Sequence, residues 1–291
     1  MDNLELIRLG TEKLKNGENL EFAQIISSSG STPRGNDAFM LIGTEGCIGG
    51  TVGGGTVEFL AQKDAAEFLG KEEDGEKPYN LSRGKTESIG MICGGDVSIS
   101  FTWLSGEDGI SFLTEKEKKI REGKPVCWIF GGGHVSVCTA AELVRIGFDV
   151  MIYDDRPEFA SPDRFPFAKE VICASYDEIG KHATVKEGDY VVVMTRGHVC
   201  DYEAQKFAIG TKACYIGVIG SHAKTAEVSR KLLSDGIPAE KIGACFAPIG
   251  IQIAAETPEE IAVSIAAEMI LVRARRENRR KVREHKTIDY R

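Results

Sequence analysis

A chain of 291 residues is long enough for one large or two modest domains, each able to bury its own core. Its 42% hydrophobic and 27% charged residues are ordinary for a globular protein, and no apolar run reaches the ~20 residues that cross a bilayer. Net charge is −8 and no basic stripe is interleaved with aromatics, which argues against holding nucleic acid by its phosphates. The first residues alternate charged and apolar side chains without a signal-peptide pattern, so a cytoplasmic chain is expected. The eight cysteines include no C-x-x-C pair, so neither a zinc ribbon nor a dithiol redox motif is present; in that compartment they are expected as thiols.

In chain order, residues 3–16 have loosely helical apolar spacing, and residues 22–26 read as a strand that ends in SSSGSTPRG. Two further short strands, AFMLIG and one around Cys47-Ile48, lead into GGTVGGGTVE, and residues 57–69 are helical. KEEDGEKP reads as a charged, mobile stretch before MICGGD and a strand, VSISFTWL. These elements make a small α+β domain over residues 1–108, followed by a charged helical linker over 109–124.

From residue 125 to 291 the pattern changes to six short apolar runs, PVCWIF, DVMIYD, EVICAS, DYVVVMT, ACYIGVI and IGACFA, several separated by helix-length amphipathic segments. That rhythm is of β-α-β units and a doubly wound, Rossmann-like parallel sheet. The first run enters Gly131-Gly132-Gly133-His134 and then a helix. In a dinucleotide site the first glycine makes a tight turn, the second admits the pyrophosphate, and the helix N-terminus supplies N–H donors. Gly131 and Gly133 hold those places, with Ser136 at the third small position. Asp154, about 20 residues on, sits where an acid accepts from a ribose diol, so NAD(P) or another nucleotide is a candidate ligand. Arg156 either receives a phosphate or pairs with Asp163 or a neighbouring acid.

Three other motifs have both a chemical and a plain reading. Arg34 with Gly53, Gly54, Gly55 and Glu58 suits an anion loop, or the glycines simply need positive φ. Cys93, beside Gly94 and Gly95, is either an accessible thiol that meets a metal or sulfur donor, or a buried inert one. Thr195-Arg196-Gly197-His198 precedes Asp201; His198 and Asp201 share a helical face for metal or acid–base work, or Asp201 only complements a helix N-terminus. Gly220, Ser221 and Lys224 resemble a second anion-receiving turn. TPEE starts a last helix that is apolar almost all round, expected in the core or at the interface of a homodimer.

GSTPRG, GGTVGGGTVE, CGGDVSI, FGGGHV, MTRGH with Asp201, YIGVIGS, PIGIQI and TPEEIAVSIAAEM follow one another in the order characteristic of the XdhC/CoxI family, which the chain resembles over residues 20–272. The resemblance implies a non-catalytic accessory protein that receives molybdenum cofactor and delivers it, sulfurated, to a xanthine dehydrogenase-like molybdenum hydroxylase, with a cysteine desulfurase as a further partner. It would place Arg34, Gly53–Gly55, Glu58, Gly94, Gly131, Gly133, His134, Asp154, Thr195, Gly220, Ser221 and Lys224 around the cofactor. Cys93 would touch molybdenum or its sulfur, and His198 and Asp201 would form a polar wall. Arg196 stands where the family often has histidine, and with no fused nucleotidyltransferase domain read in these residues, cofactor cytidylylation is not expected as an activity of this chain. The alternative is a Rossmann-type NAD(P)-dependent oxidoreductase.

Overall fold

The computed structural model describes residues 1–30, 38–80 and 95–277. Two compact units divide at Gly123 and Lys124.

In the first unit, α1 (Asn3–Lys15) is opened by a capping box between Asp2 and Glu5. The strands are β1 (Leu20–Gly30), β2 (Phe39–Gly43), β3 (Gly46–Gly50), β4 (Gly75–Asn80) and β5 (Gly95–Leu104), with α2 (Gly55–Lys71) between β3 and β4 and α3 (Gly106–Glu122) after β5. They form an antiparallel sheet in the order β3-β2-β1-β5-β4. Alternation along the strands sorts the core into two layers. Leu20, Phe22, Phe39 and Leu41 pack with Leu6, Ile7 and Leu14 of α1 and Leu113 of α3. Ala23, Ile25, Met40, Ile42, Ile99 and Phe101 pack with Val57, Ala61 and Ala65 of α2.

Two expectations change here. The charged stretch expected to be mobile runs into β4, which pairs with β5 from Gly75↔Phe101 to Asn80↔Asp96. An edge strand tolerates Pro78 and exposed charges, and only Tyr79 is buried, its hydroxyl donating to Asp64 at 2.6 Å. The charged helix after β5 starts earlier than expected and buries Leu113 in the first unit's core.

The second unit carries β6 (Val126–Phe130), α4 (His134–Arg145), β7 (Asp149–Asp154), β8 (Glu170–Cys173), α5 (Ile179–His182), β9 (Tyr190–Val193), α6 (His198–Ile209), β10 (Tyr215–Val218), α7 (His222–Ser234), α8 (Ala239–Gly243) and α9 (Pro258–Arg276). Its strands are parallel in the order β10-β9-β6-β7-β8, the doubly wound arrangement expected from the alternating runs. Both faces are covered, so β6 and β9 read as continuous apolar runs instead of alternating ones. Cys127, Ile129, Val150, Ile152 and Val192 face Ala140 and Leu143 of α4 and Ile265 and Met269 of α9. Trp128, Phe130, Tyr153, Val191 and Val193 face Ile179 of α5 and Ala204 and Ala208 of α6.

Of the six runs, five are strands; the sixth, IGACFA, is divided between α8 and a single bridge from Phe246 to Gly217. The capping box read at Thr257 and Glu260 opens α9. One side of α9 is buried, while Val263 and Ile270 are exposed. Glu268 of α9 accepts from the Tyr215 hydroxyl at 2.5 Å and from the Gly250 N–H at 3.0 Å, the paired structural acid that its place in an apolar helix suggests. Among the described residues no helix is long and apolar enough to cross a membrane.

Candidate functional site

The strand order reverses between β6 and β9, and the loops that leave their carboxyl ends meet at that switch point. Gly131 has φ +114°, and a Cβ there would overlap the Met194 carbonyl of the facing loop. Gly132 lies equally close to the Phe159 carbonyl. Gly133 has open space where a Cβ would sit, and it is the N-cap of α4. Gly197 repeats this on the neighbouring strand: it caps α6, and nothing crowds a Cβ there either.

Neither glycine offers a side-chain cap, whereas α7 and α9 are capped by Ser221 and Thr257. The leading N–H groups of α4 and α6 therefore point outward without a side-chain acceptor, at the positive ends of two helix dipoles. That pair of helix starts suits a phosphate or another oxyanion. His134 and His198 are the first residues of the two helices, and both are exposed. The repeated Gly-His-Val at 133–135 and 197–199 is the sequence signal that could have singled out Gly197.

Asp154 does not present a free carboxylate at the end of β7. It is 1% exposed, and four donors surround it. Oδ2 accepts from the Gly132 N–H at 2.7 Å and Arg156 Nη2 at 2.9 Å; Oδ1 accepts from the Arg156 N–H at 3.0 Å and its Nε at 2.9 Å. Burial pushes the Asp154 pKa up, but the hydrogen bonds from Arg156 and Gly132 outweigh it and hold the group below the usual carboxylate range. Asp154, expected to accept from a ribose, here fastens the glycine turn through its bonds from Gly132 and Arg156. Arg156 takes the neighbouring acids in preference to Asp163, with Asp155 Oδ1 at 3.8 Å. Arg196, where the family often has histidine, pairs with Asp155 at 2.8 Å.

His198 and Asp201 differ in burial and in partners. Asp201 is fully buried and accepts from the Thr195 N–H at 3.1 Å and the Thr195 hydroxyl at 2.6 Å, with Lys224 ion-paired to its other oxygen. His198 is more than half exposed, its Nδ1 3.8 Å from Glu227. Thr195, Asp201 and Lys224 form a knot around the buried Asp201 carboxylate that ties the loop after β9 to α6 and α7. Lys224 pairs with Asp201 and Ser221 caps α7, after Gly220 with φ +153°.

In the first unit, Gly53, Gly54 and Gly55 have φ of +143°, +92° and +62°, and Gly54 caps α2 without a side-chain partner. Glu58 turns back to accept from the Thr51 hydroxyl, which itself accepts from the Gly53 N–H at 3.1 Å. Arg34, Cys93 and Gly94 lie outside the described residues. Among the described residues no group of three or more His, Cys, Asp or Glu side chains is placed to hold a metal ion. Residue types alone did not single out Phe159 and Arg164, which close over the glycine turn: Arg164 Nε donates to the Gly132 carbonyl at 2.9 Å.

Fold and edge together define a Rossmann-type domain with paired glycine-capped helices, joined in one chain to a smaller α+β unit. Residues 127–269 match the XdhC Rossmann domain and residues 14–79 match the XdhC and CoxI family; the chain belongs to that family. It is 29% identical to the protein YqeB of Escherichia coli, over 86% of this chain and 43% of that protein. It is 34% identical to a probable xanthine dehydrogenase subunit of Bacillus subtilis, over 53% of this chain and 44% of the relative. The matched stretch thus spans less than half the length of these two relatives. The molybdenum cofactor insertion chaperone PaoD of Escherichia coli is 24% identical over 95% of this chain and 90% of its own. A crystal structure of a xanthine dehydrogenase from Bacillus halodurans shares the fold, with a TM-score of 0.78 and 21% identity over 98% of both chains.

Proposed function

We propose that this chain is a cytoplasmic accessory protein that binds molybdenum cofactor as cargo and delivers it to a xanthine dehydrogenase-like hydroxylase, with no turnover of its own. One observation carries the reading: two adjacent helices at the switch point, α4 and α6, open on bare glycine caps. Molybdenum cofactor is a phosphate-bearing pterin with an oxo-metal, and outward N–H groups at Gly133–His134 and Gly197–His198 suit its anionic phosphate. The names of two relatives, one referring to xanthine dehydrogenase and the other to cofactor insertion, support the same client. Arg34, Gly53–Gly55 and Cys93 remain candidate cofactor contacts on the strength of the family resemblance alone. Sulfuration with a cysteine desulfurase, and pairing of two copies through α9, belong to the same proposal.

The NAD(P)-dependent oxidoreductase reading has lost its main support, because the oxygens of Asp154 are occupied. Anaerobic equilibrium binding of molybdenum cofactor to the full chain tests the proposal. Saturable binding, weakened roughly ten-fold by Arg34→Ala and also reduced by Cys93→Ala and Gly133→Ala, is expected. No saturable binding would end it.

A further inference from the structure

We propose that the segment from Asp154 to Arg164 closes the adenosine side of the carboxyl edge, so that the site takes phosphate-bearing ligands without an adenosine ribose and refuses NAD and NADP, with Arg156 as the deciding residue. This rests on the reading that the edge binds an anionic ligand.

In a dinucleotide site the acid at the end of the second strand accepts from the ribose hydroxyls. A carboxylate has about four lone-pair positions, and here four donors, one from Gly132 and three from Arg156, already fill them. A ribose would have to displace a two-pronged guanidinium contact held in a buried place. The guanidinium is itself clamped, because its carbon lies 3.7 Å from the centroid of the Phe159 ring, on which it stacks.

The segment is fastened at several points. The Phe159 and Ala160 N–H groups donate to the Arg156 carbonyl at 3.0 and 2.8 Å. The Phe159 carbonyl sits hard against Gly132, Arg164 Nε donates to the Gly132 carbonyl at 2.9 Å, and the Phe165 ring is buried beneath in the sheet core. Two prongs of Arg156, Nε and Nη2, are engaged with Asp154, so a 2′-phosphate of NADP would meet only its outer N–H groups, beside the repelling carboxylates of Asp154 and Asp155. The positions beside Gly133 and Gly197 stay open, so closure affects the ribose half and leaves the phosphate half.

Equilibrium dialysis of the full chain against NAD+ and NADP+ tests this. The wild-type chain should show no saturable binding of either. Arg156→Ala, which frees the Asp154 oxygens, should bind NAD+ with a gain of roughly ten-fold or more, the worth of restored hydrogen bonds to a charged group. Adding Asp154→Asn to that variant should abolish the gain. Phe159→Ala, which removes only the stacking partner, should give a smaller gain. Saturable NAD+ binding by the wild-type chain would overturn the proposal whether or not the variants fold. So would a natively folded Arg156→Ala, checked by circular dichroism, that remains blind to NAD+. A parallel titration with molybdenum cofactor keeps the two readings separate, because its failure removes the cargo while the nicotinamide arm still decides the closure.

Discussion

Arg156 holds Asp154 by both prongs, Nε to Oδ1 and Nη2 to Oδ2, each at 2.9 Å, around a carboxylate that is 1% exposed. Removing one member of a buried pair strands the other, so Arg156→Ala should lower the second unit's stability by about 3 kcal/mol at neutral pH. The Asp154 pKa is depressed in the folded state. Its stabilisation is therefore present above the unfolded value of about 3.9 and is lost as pH falls through the lower folded value. Urea unfolding should find Asp154→Asn less stable than wild type at pH 7, with the gap shrinking in strong acid. Equal midpoints at pH 7 would contradict the pair's structural role.

Neighbouring glycines of one turn should respond in opposite ways to alanine. Gly131→Ala combines a disfavoured φ with overlap against a backbone carbonyl, and roughly 3 kcal/mol or more should be lost. Gly133 has φ −68° and open surroundings, so Gly133→Ala should leave thermal stability nearly unchanged while a methyl group obstructs the anion position. Thermal melts of the two variants check the contrast, and equal losses would mean that the turn is not constrained as described.

Glu21 in β1 is fully buried, and neither carboxylate oxygen has a hydrogen-bond partner. Burial first, and the Asp74 charge second, push its pKa up to about 8. Because the folded value lies above the unfolded one, ionisation opposes folding, so stability falls as pH rises from the ordinary carboxyl range to about 8. The slope contributed is roughly 1.4 kcal/mol per pH unit at most. Glu21→Gln should remove that slope and raise stability at pH 8 relative to wild type, with little difference at pH 4. Chemical denaturation across that range reads the effect, and parallel profiles would show that Glu21 ionises freely in the fold.

Asp201 holds the loop after β9 by two bonds to Thr195 and an ion pair to Lys224. Asp201→Ala should cost about 3 kcal/mol and loosen residues 195–197, visible as faster hydrogen exchange at the Thr195 amide. Lys224→Met leaves the Thr195 bonds in place and should speed that exchange less. If both variants exchange alike, the knot is not what orders the loop.

Local patterns with short-range causes were legible in the sequence. The runs VCWIF and YVVV are strands because a sheet covered on both faces needs unbroken apolar runs, and Thr257 with Glu260 caps a helix because their bonds span one turn. The glycine turn after β6 was legible for the same reason. The charged edge strand β4 was not, since pairing on one side with a single buried Tyr79 leaves almost no hydrophobic signal.

The sequence by itself determined most of the order of elements, the doubly wound class of the second unit and the family motifs. Only the tertiary structure decided which partners the polar residues at the carboxyl edge have within the fold. Asp154, Asp201 and Lys224 were chosen for their chemical type, but type is silent on which partner arrives first. Gly132, Arg156 and Thr195 reach the two carboxylates inside the fold, because a buried charge needs partners that only the folded chain brings to it.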